Sequence, residues 1–401
     1  MEELNRILVI APESYPPTTG ESIVTTKFLS ALKSSGIELD IICNPEGLHF
    51  YPGSDNPELS SIKSDLINPY DRFHIFKKVF TKRHPIIWIN LAIIVAIKTI
   101  NRKKPSLIIS RAMPIYGHMP ALILQVMFRL PWLATWSDPM PLSVSPSPFT
   151  RKTKGIDFQK LYCKTVIRKA TLHAFPNQHL GEYMQTTYPK LINKFIIVPH
   201  IASSDLSSNA VSTRRTFSLC HTGGLGIRDP RPFLLGLRNF IDRFSITDVE
   251  LTFIGPFDTN AEAQVKLLGL EKDVIFIPAV SYQESLKLIQ EFHVCVLIEA
   301  NTETGIFLPS KVMDMIQSGK PILSVSPKRG VMATLLQNKR GGIAVDLNDI
   351  DKISDSIHEL YSAWADGNLQ EKYGSSCLRD IYSENKIISG FLSDLKRHLL
   401  K

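Results

Sequence analysis

Residues 299–321, EANTETGIFLPSKVMDMIQSGKP, decide the fold of the C-terminal half of the chain. They begin where an apolar segment, residues 293–298, gives way to polar residues, and they end just before a second apolar segment, residues 322–325. Pro309 and Ser310 suit the first turn of a helix, because the backbone N–H groups there lack internal partners. The pattern predicts strand, loop, helix and strand, which is one unit of a parallel α/β sheet.

Two charged residues, Lys311 and Asp314, stand at the start of this predicted helix. They are three residues apart, so their side chains share one helical face. Open α/β sheets bind ligands where their strands end, and the first N–H groups of a helix bind anions. The pair therefore favours a phosphorylated ligand, while a surface ion pair with no ligand is the alternative.

The same alternation of strands and helices occurs near the N-terminus. Residues 7–10 are a continuous apolar run, typical of a strand buried on both faces. A proline-rich loop that ends near Gly20 follows, then a predicted helix over about residues 22–34 and a second predicted strand at residues 39–42. This βαβ unit predicts a second parallel sheet, and its loop lacks the G-x-G-x-x-G fingerprint of dinucleotide-binding proteins.

Chain length and a linker-like segment predict two domains. Single hydrophobic cores seldom extend over 401 residues. Residues 203–216 are rich in serine and have no periodicity, so we interpret them as a linker. The predicted fold class is therefore α/β, with two doubly wound Rossmann-like domains at residues 1–202 and 203–383.

The chain carries a formal charge of +8 and has a pI near 9.1, which indicates an anionic partner or simply a basic surface. Residues 151–169 contain seven basic residues and one acid, Asp157. A second basic group lies among apolar residues at Lys77, Lys78, Lys82 and Arg83. Each segment is either a solvated helix face or a surface that contacts an anionic membrane or an acceptor.

The five cysteines are far apart and odd in number, which argues against a disulfide framework and against a zinc site. A reducing, cytoplasmic setting is the simplest interpretation. The first six residues lack the pattern of a signal peptide. The most lipid-like run, residues 86–97, is about twelve residues long, whereas a spanning helix needs roughly twenty.

Four motifs resemble glycosyltransferase family 4, a group of retaining enzymes with the GT-B fold and nucleotide-sugar donors. The motifs span most of the chain, and the resemblance is poor between residues 45 and 105. They are Pro16-Pro17-x-x-Gly20, residues 131–139 (PWLATWSDP), residues 221–230 (HTGGLGIRDP) and residues 308–321 (LPSKVMDMIQSGKP). The resemblance implies two domains that face a cleft, with the donor on the C-terminal domain and residues 384–401 returning to the first domain.

The resemblance also implies roles for residues near the C-terminal motif. Asp314 falls on the second of two acids that the family carries eight residues apart, and would bind the donor ribose. The first acid falls on Ile306, so this chain departs from the pattern. Glu303 is close but out of register, and it is kept as a donor-binding candidate. A subgroup with Pro-Ser-Lys at residues 309–311 is similar, which makes Ser310 and Lys311 donor-binding candidates.

The resemblance implies further roles for residues in the loop that ends at Gly20, in residues 221–230 and in residues 131–139. The arginine that the family places against the diphosphate falls on Gly224, so Arg228, with Arg231 less directly, is its substitute. Gly20, Gly223 and Gly224 would allow close approach of the donor. Many members have a histidine at Ser137, and the neighbouring Asp138 would act as a polar anchor or base near the reacting sugar.

We therefore predict a metal-independent, retaining hexosyltransferase that moves a sugar from a nucleotide sugar to a glycan or lipid-linked acceptor, in cell-surface polysaccharide synthesis. It needs no cofactor and would be cytoplasmic, at the inner face of the plasma membrane through its basic segments. The alternatives are a sugar-nucleotide epimerase on the same fold and a non-catalytic nucleotide- or glycan-binding protein. Nucleic acid is the least favoured partner, because the basic runs lack interleaved aromatic residues.

Overall fold

A computed structural model describes residues 4–44, 61–72, 85–150, 157–203, 212 and 214–399. The predicted basic group at Lys77, Lys78, Lys82 and Arg83 lies outside the described residues. So do residues 151–156 of the basic segment at residues 151–169, and most of the predicted linker.

The chain divides into two compact units. The first contains Met1–Ser145, Phe149–Ile201 and Glu384–Lys401, and the second contains Pro146–Pro148 and Ala202–Ser383.

In the described part of the first unit, seven strands form one parallel sheet in the order β3-β2-β1-β4-β5-β6-β7. The strands are β1 (Arg6–Ile10), β2 (Glu38–Ile42), β3 (Leu66–Ile67), β4 (Leu107–Arg111), β5 (Trp132–Thr135), β6 (Leu172–Phe175) and β7 (Phe195–Ile197). The helices between them are α1 (Gly20–Ser34), α2 (Pro85–Lys103), α3 (His118–Phe128), α4 (Phe158–Lys169) and α5 (Gln178–Thr187). Residues 7–10 of β1 are fully buried, as their unbroken apolar run predicts.

Helix α1 begins at Gly20, because Thr19 caps it. The Thr19 hydroxyl accepts from the Ser22 N–H at 3.1 Å, and the Ser22 hydroxyl accepts from the Thr19 N–H at 2.8 Å. This reciprocal capping box satisfies two backbone donors that the helix itself cannot. It places Gly20 and Glu21 in the first turn of α1, beside the end of β1.

Helix α2 is longer than its apolar run suggests. It has 19 residues and is, among the described helices, the one that is long and apolar enough to cross a membrane, and 39% of its most apolar stretch is buried in the protein. One of its faces packs inside the first unit, where the Trp88 indole donates to the Cys43 carbonyl at 3.3 Å. The apolar run of about twelve residues lies within α2, and the helix continues beyond it through polar and basic residues to Lys103.

In the described part of the second unit, six strands form a parallel sheet in the order β10-β9-β8-β11-β12-β13. The strands are β8 (Phe217–Thr222), β9 (Val249–Ile254), β10 (Val274–Ile277), β11 (Val294–Ile298), β12 (Ile322–Ser326) and β13 (Gly342–Asp346). The helices are α6 (Arg231–Phe244), α7 (Thr259–Leu267), α8 (Tyr282–Glu291), α9 (Ser310–Ser318), α10 (Val331–Leu335), α11 (Ile350–Ala365), α12 (Leu369–Tyr373) and α13 (Ser376–Tyr382). The prediction of two parallel, Rossmann-like α/β domains is confirmed.

The strand order of the second sheet reverses between β8 and β11. β8 pairs with β9 on one side and with β11 on the other, so the connections leave this point in opposite directions. Loops that diverge at such a point leave a crevice at the carboxyl edge, where doubly wound sheets bind ligands. The loop after β8 and the stretch after β11 therefore meet at this edge.

A last helix, α14 (Glu384–Leu399), belongs to the first unit. It packs on α1, and the Phe28 and Phe391 rings meet edge to face with centroids 5.1 Å apart. Its buried residues, Ile387, Ile388, Phe391 and Leu395, complete the core on that side of the first sheet.

Candidate functional site

Lys311 lies in the first turn of α9, and its amine faces the end of β8. Its Nζ atom is 3.3 Å from Nε2 of His221, a fully buried residue of β8. Nδ1 of the same ring is 3.1 Å from the Val296 carbonyl oxygen. Because a carbonyl oxygen only accepts, Nδ1 carries the proton, and Nε2 presents its lone pair to Lys311.

The surroundings of Lys311 change its protonation. Burial lowers the pKa of Lys311 to about 7, and the like charge of Arg228 acts in the same direction. Glu299 and Asp314 oppose that shift. Burial, followed by the charge of Lys311, holds the pKa of His221 well below its ordinary value. Near neutral pH, His221 is therefore neutral, and Lys311 is divided between its charged and neutral forms.

Arg228 and Glu299 form a second charged pair at the same edge. Nε of Arg228 is 3.5 Å from Oε1 of Glu299, and their side chains are 23% and 6% exposed. Neither atom has a hydrogen-bond partner among the described residues. Burial raises the pKa of Glu299, whereas Arg228 lowers it. Incompletely bonded buried charges of this kind fit a site that a polar ligand completes.

Arg228 also contacts the backbone of its own loop. Its Nη1 donates to the Leu225 carbonyl oxygen at 3.4 Å. This contact is long and leaves the rest of the guanidinium available for the interaction with Glu299.

Asp314 follows Lys311 by one turn of α9 and is fixed by a neighbouring helix. The Tyr282 hydroxyl, at the start of α8, donates to Oδ1 of Asp314 at 2.6 Å. The side chain is partly exposed, so the carboxylate is both oriented and open to solvent. Such a carboxylate is suited to accept hydrogen bonds from sugar hydroxyl groups.

The glycines after β8 bring the backbone close to Lys311. Gly223 has φ +78°, which side chains other than glycine rarely adopt. A Cβ atom on Gly223 would lie 3.5 Å from Nζ of Lys311. Gly224 is exposed, and a Cβ there would meet only Pro256, at 3.7 Å. The predicted close approach of a ligand thus has its clearest structural basis at Gly223.

Backbone contacts of Gly305 and Gly330 fix the loop between β11 and α9. The Gly305 N–H donates to the Arg329 carbonyl at 2.8 Å, and the Val331 N–H donates to the Gly305 carbonyl at 2.8 Å. Gly330 has φ +138°, and a Cβ on it would lie 2.2 Å from the Gly305 carbonyl oxygen. These contacts fix the path by which the chain enters α9.

The two positions that were candidates for the first family acid differ in exposure. Ile306 is 2% exposed and lies in the apolar interior, whereas Glu303 is an exposed residue of the loop. Glu299, the first residue after β11, is the acid that the fold places beside Arg228 and Lys311. Its position at the end of a buried strand was the sequence signal that could have identified it.

An apolar cavity of about 420 Å³ adjoins Gly223 in the second unit. It lies past the ends of β8, β9 and β10, and its walls include the Phe253 and Phe276 rings, which stack with centroids 5.4 Å apart. Phe257, at 67% exposure, also lines it. A flat, partly apolar ring system would fit such a cavity.

The first unit has its own cluster of polar side chains at the carboxyl edge of its sheet. Oε1 of Glu21 accepts from Nε and Nη2 of Arg111 at 2.9 and 2.7 Å. The Ser137 hydroxyl donates to Oε2 of Glu21 at 2.7 Å. Sequence reasoning named Gly20 and Asp138, which flank this cluster along the chain, but missed Glu21 and Arg111.

The structure therefore brings Gly223, Arg228, Lys311 and Asp314 to one edge of the second sheet, with Ser310 as the first residue of α9. It adds His221, Glu299 and Tyr282, which sequence reasoning did not assign to the site. Gly20 and Asp138 lie in the first unit, and Asp138 is partly buried in the turn after β5. No group of three or more His, Cys, Asp or Glu side chains in the described ranges is arranged to hold a metal ion.

A model of a known protein family matches most of the second unit. Residues 231–363 match the family model "Glycosyl transferases group 1". No curated protein sequence matches the chain. The predicted glycosyltransferase identity is thereby confirmed for the domain that carries the site, and membership of family 4 in particular stays a prediction.

Solved structures show the fold of the whole chain. Sucrose-phosphate synthase from Thermosynechococcus elongatus is similar over 99% of both chains, at 13% identity and a TM-score of 0.66. Anabaena HepE, solved with UDP and glucose, is similar over 98% of this chain and 100% of its own, at 11% identity and a TM-score of 0.66. A Listeria monocytogenes protein assigned as a UDP-N-acetylglucosamine 2-epimerase covers 100% and 97%, at 10% identity and a TM-score of 0.55. The predicted GT-B fold is confirmed.

Proposed function

We propose that this GT-B glycosyltransferase transfers a sugar, with retention of configuration, from a nucleoside diphosphate sugar to a glycan or lipid-linked acceptor. The observation that carries the proposal is the meeting of Lys311 and Arg228 at the start of α9, beside an apolar cavity and above the carboxylate of Asp314. Two cations, a helix N-terminus and a carboxylate are the groups that a diphosphate and a ribose require.

Each part of the donor has a matching group in the second unit. The nucleobase occupies the cavity lined by Phe253 and Phe276, and the ribose hydroxyl groups donate to Asp314. The diphosphate lies against Gly223, where Lys311, Arg228 and the first N–H groups of α9 surround it. The Anabaena HepE structure, which contains UDP and glucose on the same fold, supports this assignment.

Cleavage of the bond between the sugar and the diphosphate develops negative charge beside Lys311 and Arg228. The bond between the sugar C1 and the diphosphate oxygen breaks, and its electron pair goes to that oxygen. The acceptor hydroxyl oxygen forms the new bond to C1, and its proton passes to a carboxylate or to the departing diphosphate. Lys311 and Arg228 are already in place when the charge develops, so they stabilise it with little reorganisation. We assign Asp138 of the first unit as the polar anchor or base on the acceptor side.

A panel of nucleotide sugars tests the donor assignment. A donor at a hundredfold excess over its dissociation constant stabilises the folded state by about 2.7 kcal/mol. We expect one or a few members to raise the melting temperature by roughly 5–10 °C. Asp314→Ala should reduce this shift, while Asp366→Ala, on an exposed turn of the same unit, should not. A panel without any stabilising member would contradict the proposal.

Product analysis separates transfer from the two alternatives. An epimerase, favoured only by the fold it shares with the Listeria protein, would convert the donor without an acceptor. A non-catalytic binding protein would show the thermal shift and no product. We expect transfer that requires an acceptor, and an anomeric configuration in the product equal to that of the donor.

We also propose that the first unit contacts an anionic membrane at the inner face of the plasma membrane, where cell-surface polysaccharides are assembled. Helix α4 exposes two large apolar side chains, Phe158 at 73% and Leu161 at 58%. Lys160, Lys164 and Arg168 of the same helix are exposed around them. Apolar side chains bordered by cations are the pattern of a helix that lies in the interface of an anionic bilayer.

Replacement of these apolar side chains tests the membrane proposal. Phe158→Ser with Leu161→Ser should weaken binding to phosphatidylglycerol vesicles by about tenfold, or 1.4 kcal/mol. The matched control is Leu267→Ser with Ile275→Ser, which removes two exposed apolar side chains from the second unit. Co-sedimentation with vesicles measures both. Equal binding by the two double variants, or equal binding of the wild type to phosphatidylcholine vesicles, would contradict it.

A further inference from the structure

His221 is a buried ring whose two nitrogen atoms have different, fixed tasks. Nδ1 donates to the Val296 carbonyl of the adjacent strand at 3.1 Å, which leaves Nε2 as an acceptor. The nearest donor to Nε2 is the Lys311 amine, at 3.3 Å. The ring is 0% exposed and lies against Phe253, so water does not compete for this lone pair. The hydrogen bond between His221 and β11 therefore fixes Nε2 as the hydrogen-bond acceptor that faces Lys311.

The charged groups around Lys311 come from every element that surrounds it. The loop after β8 contributes Arg228, the end of β11 contributes Glu299, and α9 contributes Asp314. Tyr282 of α8 acts through its hydrogen bond to Asp314. One cation and two carboxylates thus act on the amine, while His221 contributes a neutral lone pair.

We infer that His221 is a positioning residue that holds the Lys311 amine over Gly223, and that binding of a nucleoside diphosphate sugar at this edge is coupled to proton uptake by that amine. The inference rests on the proposed donor site. It adds a residue with no contact to the donor's reacting atoms and a dependence of donor affinity on pH.

The direction of the pH dependence follows from the charges. Burial and Arg228 bring the pKa of Lys311 to about 7 in the free protein. A diphosphate placed beside the amine favours its charged form and raises this pKa again. Well above the pKa of Lys311 in the free protein, and below its higher pKa in the complex, the affinity falls about tenfold for each unit of pH. The reason is that binding must first protonate the amine. Below the lower of these two pKa values, the affinity is constant.

The experiment measures the dissociation constant of UDP-glucose between pH 6 and 8.5 by calorimetry. Unlike a terminal phosphate, its diphosphate is doubly esterified and does not titrate in this range. For the wild type we expect an affinity that falls about fivefold between pH 7 and pH 8, because the amine is already half neutral at pH 7. Lys311→Met should bind weakly and without this pH dependence. A flat profile for a wild type that binds UDP-glucose would overturn the coupling.

Two substitutions of His221 separate positioning from simple packing. Asparagine keeps a donor near the position of Nδ1 but has nothing at Nε2, whereas glutamine can place its oxygen near Nε2. We expect His221→Asn to weaken UDP-glucose binding at pH 7 at least tenfold, and His221→Gln to restore most of it. The matched control is His293→Gln, just before β11, whose ring contacts Ser218 and Trp364 instead. It should leave the pH profile unchanged.

The outcomes distinguish this inference from the donor assignment. If Lys311→Met binds UDP-glucose as well as the wild type does, the donor site itself is wrong. If Lys311→Met fails to bind while both His221 variants behave as the wild type does, only the positioning role is wrong. If UDP-glucose does not bind at all, acetylation of Lys311 in the free protein still tests the amine, with a reactivity midpoint expected near pH 7. A midpoint above pH 9 would overturn the inference.

Discussion

Lys311→Met should lower the rate of sugar transfer by about 10² to 10³-fold at saturating donor. Removal of a single preorganised hydrogen-bond donor that stabilises charge in the transition state has this effect in other enzymes. Methionine keeps the length and the apolar stem of lysine but removes the amine that lies 3.3 Å from His221 and over Gly223. The charge that develops on the departing diphosphate then loses one of its two cations.

The measurement is kcat for transfer with the donor that the thermal panel identifies. Lys266→Met is the matched control, because Lys266 belongs to an exposed i,i+4 pair with Glu262 on α7. It should leave kcat unchanged. Retention of more than a tenth of the wild-type kcat by Lys311→Met, with an unchanged melting temperature, would show that Lys311 does not stabilise the leaving group.

Arg228→Ala should destabilise the second unit by about 3 kcal/mol at pH 8, because it removes the ion-pair partner of the buried Glu299 carboxylate. Glu299 is 6% exposed, and burial already raises its pKa while Arg228 lowers it. Without Arg228, the pKa of Glu299 in the folded state rises further. A carboxyl whose pKa is higher in the folded than in the unfolded state makes the protein less stable as pH rises through that interval. The loss of stability in Arg228→Ala should therefore be small near pH 5 and should reach its full size at pH 8.

Chemical denaturation of Arg228→Ala and the wild type at the two pH values tests this prediction. Arg243→Ala provides the matched control, since Arg243 pairs with Asp355 at a site where both side chains are more than half exposed. Exposed pairs contribute at most about 1 kcal/mol. Adding Glu299→Gln to Arg228→Ala should recover most of the lost stability, because it removes the buried charge. A deficit independent of pH would indicate lost packing rather than an unpaired carboxylate.

Local sequence signals predicted the elements of the fold and one side of the site. Apolar runs marked the buried strands, and Pro309 and Ser310 marked the start of α9 correctly. The same stretch supplied Lys311 and Asp314, because residues three apart on a helix share a face. These signals depend only on neighbouring residues, so they are readable without the tertiary structure.

The other side of the site depends on strand order, which local patterns do not determine. His221 and Lys311 are 90 residues apart, and Tyr282 and Asp314 are 32 apart. His221 reaches Lys311 because β8 pairs with β11 and not with the strand that follows β9. In the first unit, Glu21 and Arg111 are likewise 90 residues apart and meet through the pairing of β1 with β4.

The position of α14 has a consequence for the order of events during synthesis. Its apolar face covers α1, yet the ribosome makes it after all of the second unit. Until then, the emerging first unit exposes the surface around Phe28 that Phe391 later covers. Native packing of the first unit must therefore wait for translation of the second, and a nascent chain of about 200 residues remains a client for chaperones during that interval.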